Sequence, residues 1–177
     1  ITKLNQIEKY LEGFKSKNKN SNFGGLFKIK HKNHFLLIDI DKPPQKKFSK
    51  SYQSGPLSFE YFLDGMKIIT NSGFGSHISK KTELLSRLTA CQSTLTINDT
   101  SITKFERNEM INKVFGNSIQ DSFKSFDYSS KNENNIIGCT SSNNGYEKKF
   151  GCTHKREIYL DKINNYLKGT DHILKTK

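Results

Sequence analysis

An Asp-Gly pair at positions 64 and 65, set between two apolar-rich runs, constrains this chain more than any other feature. Leu57, Phe59, Tyr61 and Leu63 alternate ahead of it, and Met66 to Thr70 return behind it. A two-residue type I′ turn needs positive φ at both central positions, which Asp and Gly accept, and its twist matches that of paired antiparallel strands. The chain is therefore required to build antiparallel sheet here.

The same period of two recurs on both sides. Phe27, Ile29 and His31 alternate with Lys28 and Lys30, Phe35 to Ile40 supplies an apolar partner run, and His31 to His34 sit at the turn between them. Pro43 and Pro44 end the second run, since proline donates nothing to a ladder. A further pair is expected from Thr94 to Ile97 with Ile102 to Phe105 around Asn98-Asp99, and another from Arg156 to Leu160 with Tyr166 to Gly169. Residues Asp127 to Asn135 are polar and read as an exposed loop, and Gly73-Phe74-Gly75 reads as a strand-ending turn. Many short strands separated by turn signals, with little helical period after Phe23, predict an all-β antiparallel sandwich of two packed sheets.

Upstream, Leu4, Ile7, Leu11 and Phe14 follow the three-and-four spacing of a short amphipathic helix, and Lys15 to Asn22 is polar. Residues 1–22 are expected to be a linker or the end of a preceding domain, with the sandwich over 23–177. At 177 residues the chain suits one domain, and its last residues stop without a turn signal, as a domain cut short at its C-terminus would.

The balance of 29 Lys and Arg against 17 Asp and Glu, a net +12, favours acidic partners. Lys far outnumbers Arg, Asn is abundant, and the basic residues are spread along the chain, a pattern that AT-rich codon usage produces without any selection for binding. Basic residues flank Phe48 and Phe150, but no nucleic-acid-binding pattern accompanies them, so no nucleic-acid partner is expected. No run approaches the roughly 18 apolar residues of a membrane span. Cys91, Cys139 and Cys152 form no C-x-x-C pair, leaving free thiols or one bridge with a leftover. His31 and His34 are spaced H-x-x-H without a third ligand nearby, and His77, His154 and His172 are isolated. Asn98-Asp99-Thr100 fits a glycosylation acceptor triplet, but the turn already accounts for those residues.

Four ordered segments carry a resemblance. They are Ser54-Gly55-Pro56-Leu57-Ser58-Phe59-Glu60, then by a hairpin Ile69-Thr70-Asn71-Ser72-Gly73, then Arg87-Leu88-Thr89-Ala90-Cys91-Gln92-Ser93-Thr94-Leu95-Thr96, then Asn144-Gly145-Tyr146 through Phe150-Gly151 to His154-Lys155-Arg156. In that order they resemble the C-terminal domain of the heparinase II/III-like polysaccharide lyases. The resemblance implies a β-sandwich that follows an α/α toroid, and a whole protein that cleaves acidic, uronate-containing polysaccharide, glycosaminoglycan among them, by β-elimination. It also allows a periplasmic or cell-envelope location.

The family's chemistry does not transfer. Anchored on Leu57-Ser58-Phe59, the family's two leading histidines fall on Ser51 and Gln53, its strand-end aspartate on Asn71, and its later histidine on Gln92. In zinc-bearing members the last three of these hold the metal. Neutral amides are poor zinc ligands and Ser51 has no imidazole, so no metal, no cofactor and no catalytic residue is expected in this chain. Ser51, Gln53, Asn71 and Gln92 are candidate substrate contacts, or else keep the old site's shape through amide hydrogen bonds. Two readings stand: part of a lyase whose reaction groups lie on the toroid, or a non-catalytic carbohydrate-binding or structural module.

Overall fold

The structure is a computed structural model that describes residues 22–176. The helix expected over Leu4 to Phe14, and the linker up to residue 21, lie outside the described residues; Asn22 belongs to the first strand. Two antiparallel sheets face each other, as the periodicity predicts. The first has five strands in sequence order: β1 (Asn22–Phe23), β2 (Leu26–His31), β3 (His34–Asp39), β4 (Phe59–Leu63) and β5 (Met66–Ile69). The second has four: β6 (Ser125–Asn132), β7 (Ile136–Asn143), β8 (Cys152–Asp161) and β9 (Tyr166–Lys175).

Turn chemistry sets the register. Asp64 at φ 53° and Gly65 at φ 77° join β4 to β5. His31 pairs with His34 across the neighbouring turn. The two turn tips then hold each other, Asn33 Nδ2 donating to Asp64 Oδ1 at 2.8 Å and the Asp64 N–H to the Asn33 carbonyl at 3.1 Å.

Alternation puts Phe27, Ile29, Leu36, Ile38 and Tyr61 on the inner face of the first sheet, against Ile137, Cys139, Ile158 and Leu160 of the second. Each such side chain contributes about 1.5–3 kcal/mol by leaving water. A second cluster, Ile102, Phe123, Tyr146 and Cys152, seals the end beneath the connecting segments. All three cysteines are free thiols.

Four expectations need correction. Leu57 is not in a strand: it is buried at φ 60°, its N–H bonded to the Asp39 carbonyl at 3.0 Å, and β4 begins two residues later. Asn98 and Asp99 do make a turn with positive φ, but the flanking runs share only the isolated bridge Ile97 to Thr100. Their backbone groups go to side chains instead. The Ile102 N–H bonds to Thr89 Oγ1, that of Thr103 to Ser54 Oγ, and the Leu95 and Thr100 carbonyls accept from the Tyr146 hydroxyl.

The stretch Asp127 to Asn135 is mostly strand rather than loop. It belongs to β6, an exposed edge strand with a bulge near Asp127, and edge strands carry charged and polar residues that discourage further pairing. Finally, three short helices were not foreseen: α1 (Lys80–Ser86), α2 (Glu109–Phe115) and α3 (Glu147–Phe150). Ser79 Oγ caps α1 and Asn108 Oδ1 caps α2, which fixes ends for helices too short to show a clear period.

Candidate functional site

The candidate residues lie where three connecting segments meet at one corner of the sandwich. The loop entering β4 turns on Gly55, with the Ser58 N–H bonded to the Gly55 carbonyl at 3.0 Å. The segment leaving β5 carries Asn71, whose neighbour Ser72 donates its N–H to the Cys91 carbonyl at 3.0 Å. The third segment runs from Ser86 to Ser93 and is tied to the first by the Ser54 N–H on the Arg87 carbonyl at 2.8 Å.

Ser93 is the centre of this corner. Its hydroxyl accepts the Phe59 N–H at 2.8 Å and lies within hydrogen-bond reach of the Phe59 carbonyl and, at 3.0 Å, of Asn71 Oδ1. The same Asn71 oxygen accepts the Ser93 N–H at 2.8 Å. Gln92 is buried, and its Nε2 donates to the Ser86 carbonyl at 2.8 Å. The Gln92 side chain packs on Gly55, where a Cβ would come 2.8 Å from Gln92 Cγ, so the missing side chain makes room for the amide. Asn71 and Gln92 thus belong to one hydrogen-bonded corner. No side-chain hydrogen bond joins Ser51 or Gln53 to it among the described residues; Ser51 is exposed and Gln53 half-buried.

Nearby, Arg87 is wholly buried and holds the loop before Gln53. Its Nε donates to the Tyr52 carbonyl and its Nη2 to the Ser49 carbonyl, while the guanidinium lies 4.1 Å from the centre of the Phe105 ring. Burial pushes its pKa down to about 10.

A second network, which sequence reasoning missed as a unit, supports the corner from the other sheet. The inner face of β7 and β8 changes character along its length. Ile137 and Cys139 face Leu160 and Ile158, but Ser141 and Asn143 pair with Arg156 and His154. Arg156 Nη1 reaches across to the Leu57 and Ser93 carbonyls, both at 2.7 Å. Its Nε and Nη2 donate to the two oxygens of Asp171 on β9 at 2.7 and 2.8 Å. His154 Nε2 lies 2.7 Å from the same carboxylate. Burial by itself would raise the Asp171 pKa, but the hydrogen bonds and charges of His154 and Arg156 outweigh it and hold the carboxyl well below its usual range. The one sequence signal for this network is parity, since His154 and Arg156 share the face of Ile158 and Leu160 and must be buried with them.

Zinc does not fit the corner. The Asn71 oxygen already accepts from Ser93, the Gln92 nitrogen that bonds the Ser86 carbonyl has no lone pair to offer a metal, and an amide is not a ligand type that zinc favours. Among the described residues no three His, Cys, Asp or Glu side chains converge. His31 and His34 do meet across the β2–β3 hairpin, with both Nε2 atoms buried and unpartnered and His34 Nδ1 2.6 Å from the Tyr61 hydroxyl. They remain a pair without a third ligand.

Two other sequence features turn out to be internal supports. The Tyr146 hydroxyl anchors the Leu95 to Thr100 segment, and burial pushes its pKa up. Lys149, from the basic pair beside Phe150, caps the Ser101 and Ile102 carbonyls. Among the described residues no helix is long and apolar enough to cross a membrane.

A family model described as "Heparinase II/III-like, C-terminal" matches residues 16–177. No curated protein and no solved structure matches the chain.

Proposed function

Because this chain belongs to the heparinase II/III-like family, as a C-terminal domain of that kind, we propose that it serves a protein that cleaves acidic, uronate-containing polysaccharide by β-elimination. In this role it shapes and supports the cleft, while the reaction groups sit on a preceding α/α toroid. Elimination removes the proton α to a carboxylate and expels the 4-linked sugar. It needs a base, and it needs positive charge or donors where negative charge gathers on the carboxylate. An amide supplies no base.

The observation that carries the reading is the closed corner: Asn71 Oδ1 is committed to Ser93 and Gln92 Nε2 to the Ser86 carbonyl. Groups held in this way stabilise the loops that enter β4 and leave β5, and an amide neither takes up nor gives up a proton near neutral pH. The exposed Ser51 and half-buried Gln53 at the loop beside it are the candidate polar contacts to sugar.

The test is formation of unsaturated uronate, read as ultraviolet absorbance, on incubating uronate polysaccharides with the full-length protein and with residues 1–177 alone. Product from the full-length protein and none from the shorter chain is the expected result. Turnover by residues 1–177 alone would place reaction groups in the sandwich and refute the reading. So would silence from a folded full-length sample across a panel of uronate polymers.

A further inference from the structure

The outer face of the second sheet, opposite the one that carries Arg156, holds a groove of about 400 Å³ floored by an aromatic ring. Tyr159 on β8 pairs with Gly138 on β7. A Cβ at Gly138 would lie 2.1 Å from the Ile158 carbonyl oxygen and 2.4 Å from Tyr159 Cδ1, so the tyrosine side chain occupies the space that a residue there would fill. Its hydroxyl shares a hydrogen bond with Thr140 Oγ1 at 2.7 Å. The ring is thus laid across the strand and pinned at its far end, with its remaining surface lining the groove. Tyr166, half-exposed on the edge strand, and Ile136 add apolar surface beside it.

The charges around this floor are unevenly committed. Asp161 is bonded to the N–H groups of Ile163 and Asn164 and to Asn164 Nδ2. Glu157 is paired with Lys155 at 2.6 Å, with His172 at 3.6 Å. Lys168, directly across from Tyr159, makes no ion pair among the described residues, and Lys131 is the second lysine of the groove. Counting Lys155, the partner of Glu157, three lysines stand against two carboxylates around the groove, so it offers a ring face together with a small excess of positive charge.

We infer that this groove is a saccharide-binding platform for an acidic glycan chain, separate from the Asn71–Gln92 corner. A pyranose presents an apolar C–H face and a polar rim. The face suits a fixed aromatic ring, and the rim's carboxylate suits lysine. The choice of a uronate chain as occupant rests on the proposed function; the platform itself rests on Tyr159, Gly138 and Lys168.

The test is calorimetric titration of the protein with a size-defined oligogalacturonate and, in parallel, a malto-oligosaccharide of equal length, with backbone amide shifts used to locate binding. The oligogalacturonate is expected to bind, to shift amides of β8 and β9, and to bind about tenfold more weakly to Tyr166→Ala and to Lys168→Glu, a change of about 1.4 kcal/mol. Both positions lie on an edge strand, and Lys168→Glu keeps the test valid if Tyr166→Ala loses its fold. Uronate binding unchanged in a folded variant, or shifts confined to other strands, would refute the platform and leave the proposed function standing. Equal binding of the neutral chain would refute the acidic assignment. Elimination by the full-length protein without oligogalacturonate binding to this groove would likewise refute only the platform.

Discussion

Replacing Asp171 with Ala removes the acceptor for three donors at once. Arg156 Nε and Nη2 lose partners at 2.7 and 2.8 Å, and His154 Nε2 loses one at 2.7 Å. The Arg156 side chain is 8% exposed and that of His154 0%, whereas that of Asp171 is 37% exposed. Breaking a fully buried pair costs about 3–5 kcal/mol because a charge is left uncompensated. Water can reach the vacated carboxylate position, and Arg156 keeps the Leu57 and Ser93 carbonyls, so the expected loss is about 2–3 kcal/mol. Asp171→Asn retains one acceptor oxygen and should lose less, about 1–2 kcal/mol.

Urea unfolding at neutral pH measures this as a lower midpoint at unchanged slope. In an Arg156→Met background the same substitution should cost less, since the charge it strands is gone. The sign of the pH dependence follows from the lowered pKa. This stabilisation is complete above the unfolded value of 3.8 and is lost as pH falls through the lower folded value. A loss below about 0.5 kcal/mol for Asp171→Ala, typical of an ordinary surface change, would refute the claim that this network fastens the two sheets to the corner.

Gly138→Ala should destabilise by at least about 2 kcal/mol in urea unfolding, because its Cβ would press on the Ile158 backbone, which cannot move aside without breaking the ladder. Cys139, whose thiol burial pushes up to about 12, should resist iodoacetamide in the native state while the partly exposed Cys91 reacts, with mass spectrometry after timed quenching as the readout. His31 has its pKa lowered by burial and then by Lys32, Lys162 and His34, so its share of stability is present above 6.5 and is lost as pH falls through that value. Asp39, pushed up to about 6 by burial, works in the opposite direction over the same window. The check is therefore the difference between wild type and His31→Gln, with wild type losing more stability on acidification from about pH 7.5 to about pH 5.5.

What was legible in the sequence was local. Asp64-Gly65 announced its hairpin because the φ values of a two-residue turn depend on those two residues alone, and the β8–β9 pair was visible for similar reasons. The order of motifs from Ser54 to Arg156 pointed to the family, and with it to Asn71 and Gln92. Partnerships over long separations were hidden. Nothing near Asn98 reveals that Tyr146, Thr89 and Ser54 take the backbone bonds a ladder would have used. Nor does β7 look like a strand, because its inner face changes from Ile137 and Cys139 to Ser141 and Asn143 where the partner surface changes from apolar core to Arg156 and His154. The use of Gly138 as space for Tyr159 is hidden in the same way, because it needs both strands in place.

We propose that Asn71 and Gln92, two of the four positions expected to match the family's site, frame a loop corner in this chain and do not hold a metal. Elemental analysis of the purified chain, after exposure to excess zinc and exhaustive dialysis, is the test. The predicted result is no stoichiometric zinc. Equimolar zinc that persists through dialysis in the wild type and disappears in Asn71→Ala or Gln92→Ala would contradict it.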